Sequence, residues 1–168
     1  MPDARLRLIP VTPAHAAAFA LGRDHLSRLL GATLLDGWPE FPEALTMERD
    51  VPQTPSGATH WRGYFFVTLD GQLAGNGGFK GPPNEGVVEL GYEIAPALRN
   101  RGLATEATCA LMALAFADPS VRAVQAHTLA VENASCGVLR RCGFTRVETI
   151  VDPTDGEIWR WRCDQPAR

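Results

Sequence analysis

The hydrophobic residues of this chain follow two spacings, which together predict a sheet flanked by helices. Runs of residues typical of strands, with clear apolar–polar alternation in the first, occur over 5–11, 64–69, 72–80, 87–94, 121–128, 145–151 and 157–163. Apolar residues at helical spacing follow positions 13, 24, 103 and 133. This order of strands, helices and hairpins predicts an α/β fold with a mixed sheet. We see no linker or repeat, so residues 1–168 are expected to form a single domain.

Local signals set the limits of the helices. Thr12 followed by Pro13 is a favourable N-cap and first-turn pair for a helix that ends near residue 21. Gly31 and Gly143 stand where the chain leaves a helix, a position that favours glycine. The long helix that starts at Leu103 is predicted to end near residue 117, before an Asp-Pro pair.

Two segments have weaker patterns. Residues 36–63 are rich in proline and tryptophan, and we expect a loop there with a short helix over 43–50. The strand at 72–80 is interrupted by three glycines, which indicate either a bulge or the close approach of another backbone.

Composition narrows the class of protein. The 168 residues are 45% hydrophobic and 21% charged, and the formal net charge is −3, which argues against a broad nucleic-acid surface. The sequence has no apolar run near the ~20 residues that cross a bilayer and no signal-peptide pattern, so we expect a cytoplasmic protein without a membrane partner. The four cysteines lack metal-site spacing, which predicts buried free thiols and no metal.

The segment 87–104 carries the clearest functional signal. Its strand runs directly into Arg99-Asn-Arg101-Gly102-Leu-Ala104, which opens the long helix. N–H groups in the first turn of a helix have no intrahelical partner, and the helix dipole favours negative charge there. The two arginines add forked donors that suit phosphate. The sequence therefore predicts a site for a phosphate-bearing ligand.

Other phosphate motifs fit this chain poorly. A P-loop needs a Gly-Lys pair, which the chain lacks. A dinucleotide fingerprint needs three spaced glycines, but Lys80 stands where the third would follow Gly75 and Gly77.

The pattern Arg/Gln-x-x-Gly-x-Gly/Ala, here Arg99 to Ala104, resembles motif A of the GNAT superfamily of acyl-CoA-dependent N-acyltransferases. The resemblance continues through LGYEI, ATEA, ENAS and LRRCGF and covers most of residues 64–150. These motifs are most similar to those of the branch that contains the ribosomal-protein N-terminal acetyltransferases. It implies a GNAT-like fold in which the strand 87–94 splays from the next strand.

The resemblance also implies where acetyl-CoA binds as co-substrate. The pyrophosphate would lie on the backbone of Arg101, Gly102, Leu103, Ala104 and Thr105, with Arg99 and Arg101 as charge partners. The pantetheine arm would pair with the strand end at Ile94 and Ala95, and the region of Asn133 and Ser135 would line the opposite wall.

Acetyl transfer needs a base for the amine proton and a donor for the departing thiolate. Strand alternation places Glu89 and Glu93 on one face, and we take Glu89 as the candidate base, directly or through water. Either carboxylate could instead lie at a rim, where it would pair with an arginine or select a cationic substrate. Leu139 stands where many family members have an acid tyrosine, so Ser135 becomes the candidate donor, unless it serves as a helix cap like Asn133.

The resemblance implies direct acetyl transfer to a primary amine, on a protein N-terminus or a small molecule. The alternatives are a non-catalytic acyl-CoA-binding regulator, which the absence of the tyrosine favours, and a transferase for another acyl group. We expect acceptor contacts from residues 23–63 and 152–156. Because dimers are frequent among similar proteins, a homodimer is an open expectation.

Overall fold

The computed structural model describes residues 4–46 and 61–166. Within these residues eight strands form one sheet: β1 Leu6–Pro10, β2 Thr33–Leu34, β3 Gly63–Thr68, β4 Gln72–Phe79, β5 Val87–Ile94, β6 Ala123–Leu129, β7 Thr145–Asp152 and β8 Gly156–Asp164. The helices are α1 Pro13–Leu21, α2 Arg23–Leu30, α3 Glu43–Thr46, α4 Leu103–Ala117 and α5 Ala134–Arg141, and a 3-10 turn spans Pro96–Leu98. The predicted mixed α/β fold is confirmed.

The sheet order is β1-β3-β4-β5-β6-β8-β7, with β2 added alongside β4. Strand β5 changes its main partner along its length. Residues Val87–Glu89 pair in parallel with Ala123–Gln125 of β6, whereas Leu90–Ile94 pair with β4 only. Strands β5 and β6 therefore separate beyond Glu89, as the resemblance implied.

The glycines of β4 allow the close approach that their spacing indicated. A Cβ at Gly77 would lie 2.5 Å from the carbonyl oxygen of Gly91, and one at Gly78 would lie 2.3 Å from that of Arg62. Neighbouring backbones on both sides thus occupy the space of a side chain. A β-bulge, the alternative expectation, is also present nearby, where the register of β3 against β4 shifts between Phe66 and Val67.

Two apolar cores lie on opposite faces of the sheet. One packs the sheet against α4 and α5, and α4 contributes Leu103, Ala107 and Leu111 to it. The other lies under α1 and α2 and includes Leu26 and Trp38. The ligand site lies between the helices of the first core and the loop that follows α2.

Most helix limits agree with the sequence signals. The Thr12 side chain accepts a hydrogen bond from the N–H of His15, and the left-handed residues Gly31 and Gly143 follow α2 and α5. The short helix predicted over 43–50 is observed as Glu43–Thr46, and residues 47–60 lie outside the described ranges. Strand β2 and the 3-10 turn were not predicted, because two or three residues carry no periodicity.

The prediction of four buried cysteines is wrong for one of them. Cys136 and Cys142 are buried and Cys163 is partly buried, but Cys109 is exposed on α4, and none forms a disulfide. No helix in the described ranges has the length and apolarity to span a membrane. Those same ranges contain no cluster of three or more metal-ligating side chains.

Candidate active site

A cavity of about 1080 Å³ opens where β5 and β6 separate. Its walls come from the end of β5, the turn before α4, the first turns of α4 and α5, and the loop between α2 and α3. The lining residues are Glu40, Phe41, Tyr92, Glu93, Ile94, Leu98, Arg99, Asn100, Gly102, Leu103, Ala104, Thr105, Asn133, Ala134, Ser135, Gly137, Val138 and Arg141. A single cavity therefore joins the predicted phosphate turn to the gap between the strands.

The N-terminus of α4 is open toward this cavity. Gly102 precedes the helix in the left-handed conformation, with φ of 76°, and makes no side-chain cap. The first intrahelical bond runs from Glu106 N–H to Gly102, so the earlier N–H groups have no helical partner. The buried hydroxyl of Thr105 has no hydrogen-bond partner among the described residues. These groups are suited to bind phosphate oxygens.

The arginines near the turn occupy different places. Arg99 lines the cavity, where its Nε donates to the Ile94 carbonyl at 3.0 Å and its Nη2 contacts Glu40 at 2.5 Å. Arg101 is exposed and does not line the cavity, and its carbonyl accepts a bond from Arg5. Arg141, in the last turn of α5, does line it.

The two residues at the end of β5 differ in their access. Ile94 lines the cavity and presents its carbonyl there. Ala95 is buried, and its N–H donates to the Ala74 carbonyl at 2.8 Å. Of the two predicted pantetheine contacts, only Ile94 lies on the cavity wall.

The start of α5 forms the facing wall. The side chain of Asn133 accepts from the N–H of Cys136 at 3.2 Å, so Asn133 is the helix cap. The Ser135 hydroxyl makes no hydrogen bond to any residue of the described ranges, and Tyr92 donates to the Ser135 carbonyl at 3.5 Å. Burial, the main cause, raises the pKa of Tyr92 to about 12. Leu139 is fully buried, so this position contributes no hydroxyl.

The carboxylate of Glu89 lies outside this cavity and is already neutralised. Its Oε1 contacts Lys80 Nζ at 2.5 Å and His127 Nδ1 at 2.9 Å. Gln125 donates to Oε2 at 3.4 Å. Burial alone would raise the pKa of Glu89, but the hydrogen bonds and charges of Lys80 and His127 outweigh it and lower the pKa.

Glu93 is on the same face of β5 but within the cavity. Only 8% of the residue is exposed, and its Oε2 accepts the backbone N–H of Glu40 at 2.8 Å. Its Oε1 is buried and has no hydrogen-bond partner among the described residues. Burial, the largest cause, and the charges of Glu40 and Glu43 raise the pKa of Glu93, against the opposing bonds from Glu40 and Phe41 N–H.

Most of the predicted coenzyme-binding residues therefore line one cavity, whereas Glu89, the predicted base, does not line it. Sequence reasoning missed Glu40, Phe41 and Arg141 as lining residues of this cavity. Glu40 and Phe41 come from a loop without periodicity, where only the aromatic and acidic composition next to Trp38 could have drawn attention.

Comparison with known proteins agrees with this geometry. Residues 5–145 match the family model described as the acetyltransferase (GNAT) domain. The search of curated proteins returns no match.

Solved structures share the fold at low sequence identity. RimL, a ribosomal-protein α-N-acetyltransferase in complex with coenzyme A, aligns over 96% of this chain and 95% of its own, with TM-score 0.68 and 17% identity. A spermidine N-acetyltransferase chimera from Vibrio cholerae SpeG and hSSAT aligns over 95% of both chains, with TM-score 0.67 and 14% identity. A GNAT-family acetyltransferase from Bacillus anthracis aligns over 61% of this chain and 65% of its own, with TM-score 0.54 and 18% identity.

The matched family model extends from before the first strand to the start of β7, and it includes the turn and helix that form the cavity. The chain therefore belongs to the GNAT acetyltransferase family.

Proposed function

We propose that this protein transfers an acetyl group directly from acetyl-CoA to a primary amine. The observation that carries the proposal is the cavity, which connects an anion-binding helix N-terminus to the opening between β5 and β6. A phosphopantetheine thioester needs both features, because its pyrophosphate and its reacting carbonyl lie at opposite ends of an extended arm.

The coenzyme phosphates are assigned to the α4 turn. The backbone of Gly102, Leu103, Ala104 and Thr105 offers N–H groups, and the Thr105 hydroxyl adds an unpaired polar atom. Arg99 and Arg141 contribute positive charge from the cavity wall, and Arg101 contributes it from the exposed side of the turn.

The pantetheine arm is assigned to the passage between β5 and α5. The Ile94 carbonyl is available to its amides once Arg99 turns toward the phosphates, and Ala95 supports that strand end from the buried side. Asn133 shapes the far wall by holding the first turn of α5.

The departing thiolate is assigned a hydrogen bond from Ser135. The cap of α5 is already supplied by Asn133, which leaves the Ser135 hydroxyl unoccupied at the cavity wall. For Glu89 to act as the base, it must release Lys80 or pass the proton through His127, since both hold its Oε1.

The acceptor is a peptide N-terminus or a small amine, classes that are represented by RimL and by the spermidine N-acetyltransferase. Its contacts are expected from the loop after α2 and from the 152–156 turn. The cytoplasmic location, the single domain and a homodimer stay predictions.

The buried Leu139 favours one alternative, a non-catalytic acyl-CoA-binding regulator. Incubation of the purified protein with acetyl-CoA and a panel of amines, with detection of free coenzyme A thiol, separates the two. We expect thiol release that depends on the amine, and a switch to succinyl-CoA or a longer acyl-CoA tests the choice of acyl group. Tight coenzyme binding in calorimetry without thiol release from any amine would favour the regulator.

A further inference from the structure

The face of β5 that points away from α4 carries Glu89, Gly91 and Glu93 in alternate positions. A Cβ at Gly91 would meet no atom within 4 Å, so the space above the strand between the two carboxylates is open. This space lies beside the point where β5 leaves β6. An acceptor approaching here reaches the opening between the strands from the side opposite the coenzyme helix.

The loop between α2 and α3 covers the far end of this space and fixes the Glu93 side chain. Trp38 is buried and donates to the side chain of Asn76, the cross-strand neighbour of Glu93 on β4. Two residues later, the N–H of Glu40 donates to Glu93 Oε2. One carboxylate oxygen is thus anchored by the loop.

The other oxygen of the Glu93 carboxylate lacks a hydrogen-bond donor within the described ranges. Glu93 Oε1 is buried at the cavity wall and has no hydrogen-bond partner among the described residues, although the N–H of Phe41 also faces the carboxylate and lowers its pKa. An ionised carboxylate oxygen that is removed from water without a donor is costly, so the site is complementary to a ligand that brings a donor or a positive charge. The charged groups facing it are Glu40 and Glu43, both acidic, and Arg99, which pairs with Glu40.

Glu89 offers no such site, because Lys80 and His127 already occupy its Oε1. The pKa of Glu89 is lowered and that of Glu93 is raised, which makes the Glu93 carboxylate the stronger base of the two.

We propose that Glu93 Oε1 binds the ammonium group of the acceptor above Gly91 and takes its proton, so that the primary amine arrives as a cation. The inference rests on the proposed acetyl transfer and adds the charge state of the acceptor and a catalytic residue to it.

The proton balance is complete without a further reagent. The ammonium gives one proton to the Glu93 carboxylate, and the freed nitrogen lone pair forms the C–N bond with the thioester carbonyl carbon. The C–S bond breaks and the sulfur leaves with its electron pair. A second nitrogen proton neutralises that thiolate, and the carboxylic acid of Glu93 returns its proton to solvent.

The test compares Glu93→Gln with Glu89→Gln, a matched loss of charge two positions away on the same face. With the best amine of the panel, Glu93→Gln should lower kcat/KM by roughly 100-fold, the usual size of a general-base effect. It should also abolish the acid limb of the pH profile and leave the acetyl-CoA Kd within about twofold of wild type. Glu89→Gln should retain the acid limb. Loss of that limb in Glu89→Gln but not in Glu93→Gln would overturn the assignment.

A fluorinated analogue of the same amine, which is largely neutral at neutral pH, separates deprotonation from simple packing. With it the Glu93→Gln penalty should shrink to less than about fivefold, because no ammonium proton has to be removed. Glu93→Asp, which keeps a carboxylate, should restore the acid limb.

If Glu93→Gln does not fold, the wild-type profile is decisive. The acid limb should be present with the parent amine, and with the fluorinated one it should move to the pKa of that amine; the same limb with both would refute the proposal. Wild-type protein that turns over no amine would instead overturn the proposed acetyl transfer itself, and with it this inference.

Discussion

The two halves of β5 differ in whether their polar groups find partners within the protein. In Val87–Glu89 the strand has β6 as a hydrogen-bonded partner, and the carboxylate on its outer face is neutralised by Lys80 and His127. In Leu90–Ile94 the β6 edge is open, and the carboxylate of Glu93 keeps one oxygen unpaired in a cavity. The closed half has its polar groups satisfied from within the protein, whereas the open half has groups that a ligand can satisfy.

This difference shows that the pKa of a carboxyl group depends more on the residues around it than on the strand face that carries it. Glu89 and Glu93 share a strand, a face and a residue type, yet their pKa values shift in opposite directions. The cause is local, since Lys80 and His127 contact the carboxylate of Glu89, whereas burial and the charges of Glu40 and Glu43 act on that of Glu93.

The largest expected effect comes from breaking the contact that keeps the open half attached to β4. In Gly77→Ala the new Cβ would lie 2.5 Å from the Gly91 carbonyl oxygen, so we expect a loss of about 2–3 kcal/mol of unfolding free energy. Gly91→Ala is the control, because its Cβ meets nothing within 4 Å, and its stability should change by less than about 1 kcal/mol. Equal losses in urea denaturation would show that the close approach is not rigid.

A second experiment tests whether Arg99 leaves its ion pair with Glu40 to bind the coenzyme. Arg99→Ala should weaken acetyl-CoA binding about tenfold, or about 1.4 kcal/mol, because it removes a charged phosphate donor. Glu40→Gln should instead tighten binding by roughly threefold, since Arg99 no longer has to leave its ion pair with Glu40. Calorimetry at two salt concentrations measures both. Weaker binding in Glu40→Gln would mean that the pair positions the arginine.

The smallest expected effect is on how the unfolding free energy depends on pH. This effect has opposite signs for Glu89 and Glu93, which lie in the two halves of β5. The lowered pKa of Glu89 contributes stability at neutral pH that is lost as pH falls through its folded-state pKa. The raised pKa of Glu93 contributes stability only at low pH, and this is lost as pH rises through its folded-state pKa.

Glu89→Gln should therefore lower the unfolding free energy at pH 7 by about 1 kcal/mol, the scale of one hydrogen bond, and Glu93→Gln should raise it or leave it unchanged. Each difference should shrink as pH falls from 7 through the folded-state pKa of the group concerned. Chemical denaturation across this range measures them, and shifts of the same sign in both variants would contradict the contrast.

The fold was largely predictable because its elements carry strong local signals. The limits of β5 and α4 follow from an alternating run and a helical stripe, and the turn between them follows from Arg99 to Ala104. Strand β2 was missed, because so short an element depends on tertiary contacts. The exposure of Cys109 was also missed, since its apolar neighbours in sequence lie on other faces of α4.

The sequence by itself determined the mixed sheet, the helix N-terminus suited to phosphate and the face of β5 that carries two carboxylates. Those features rest on periodicity and on backbone geometry, which are local. Only the tertiary structure decided which carboxylate is free, because Lys80, His127 and Glu40 reach β5 from β4, β6 and the loop after α2. Charge and burial at one side chain depend on residues that are distant in sequence, and no local pattern encodes which of them arrive.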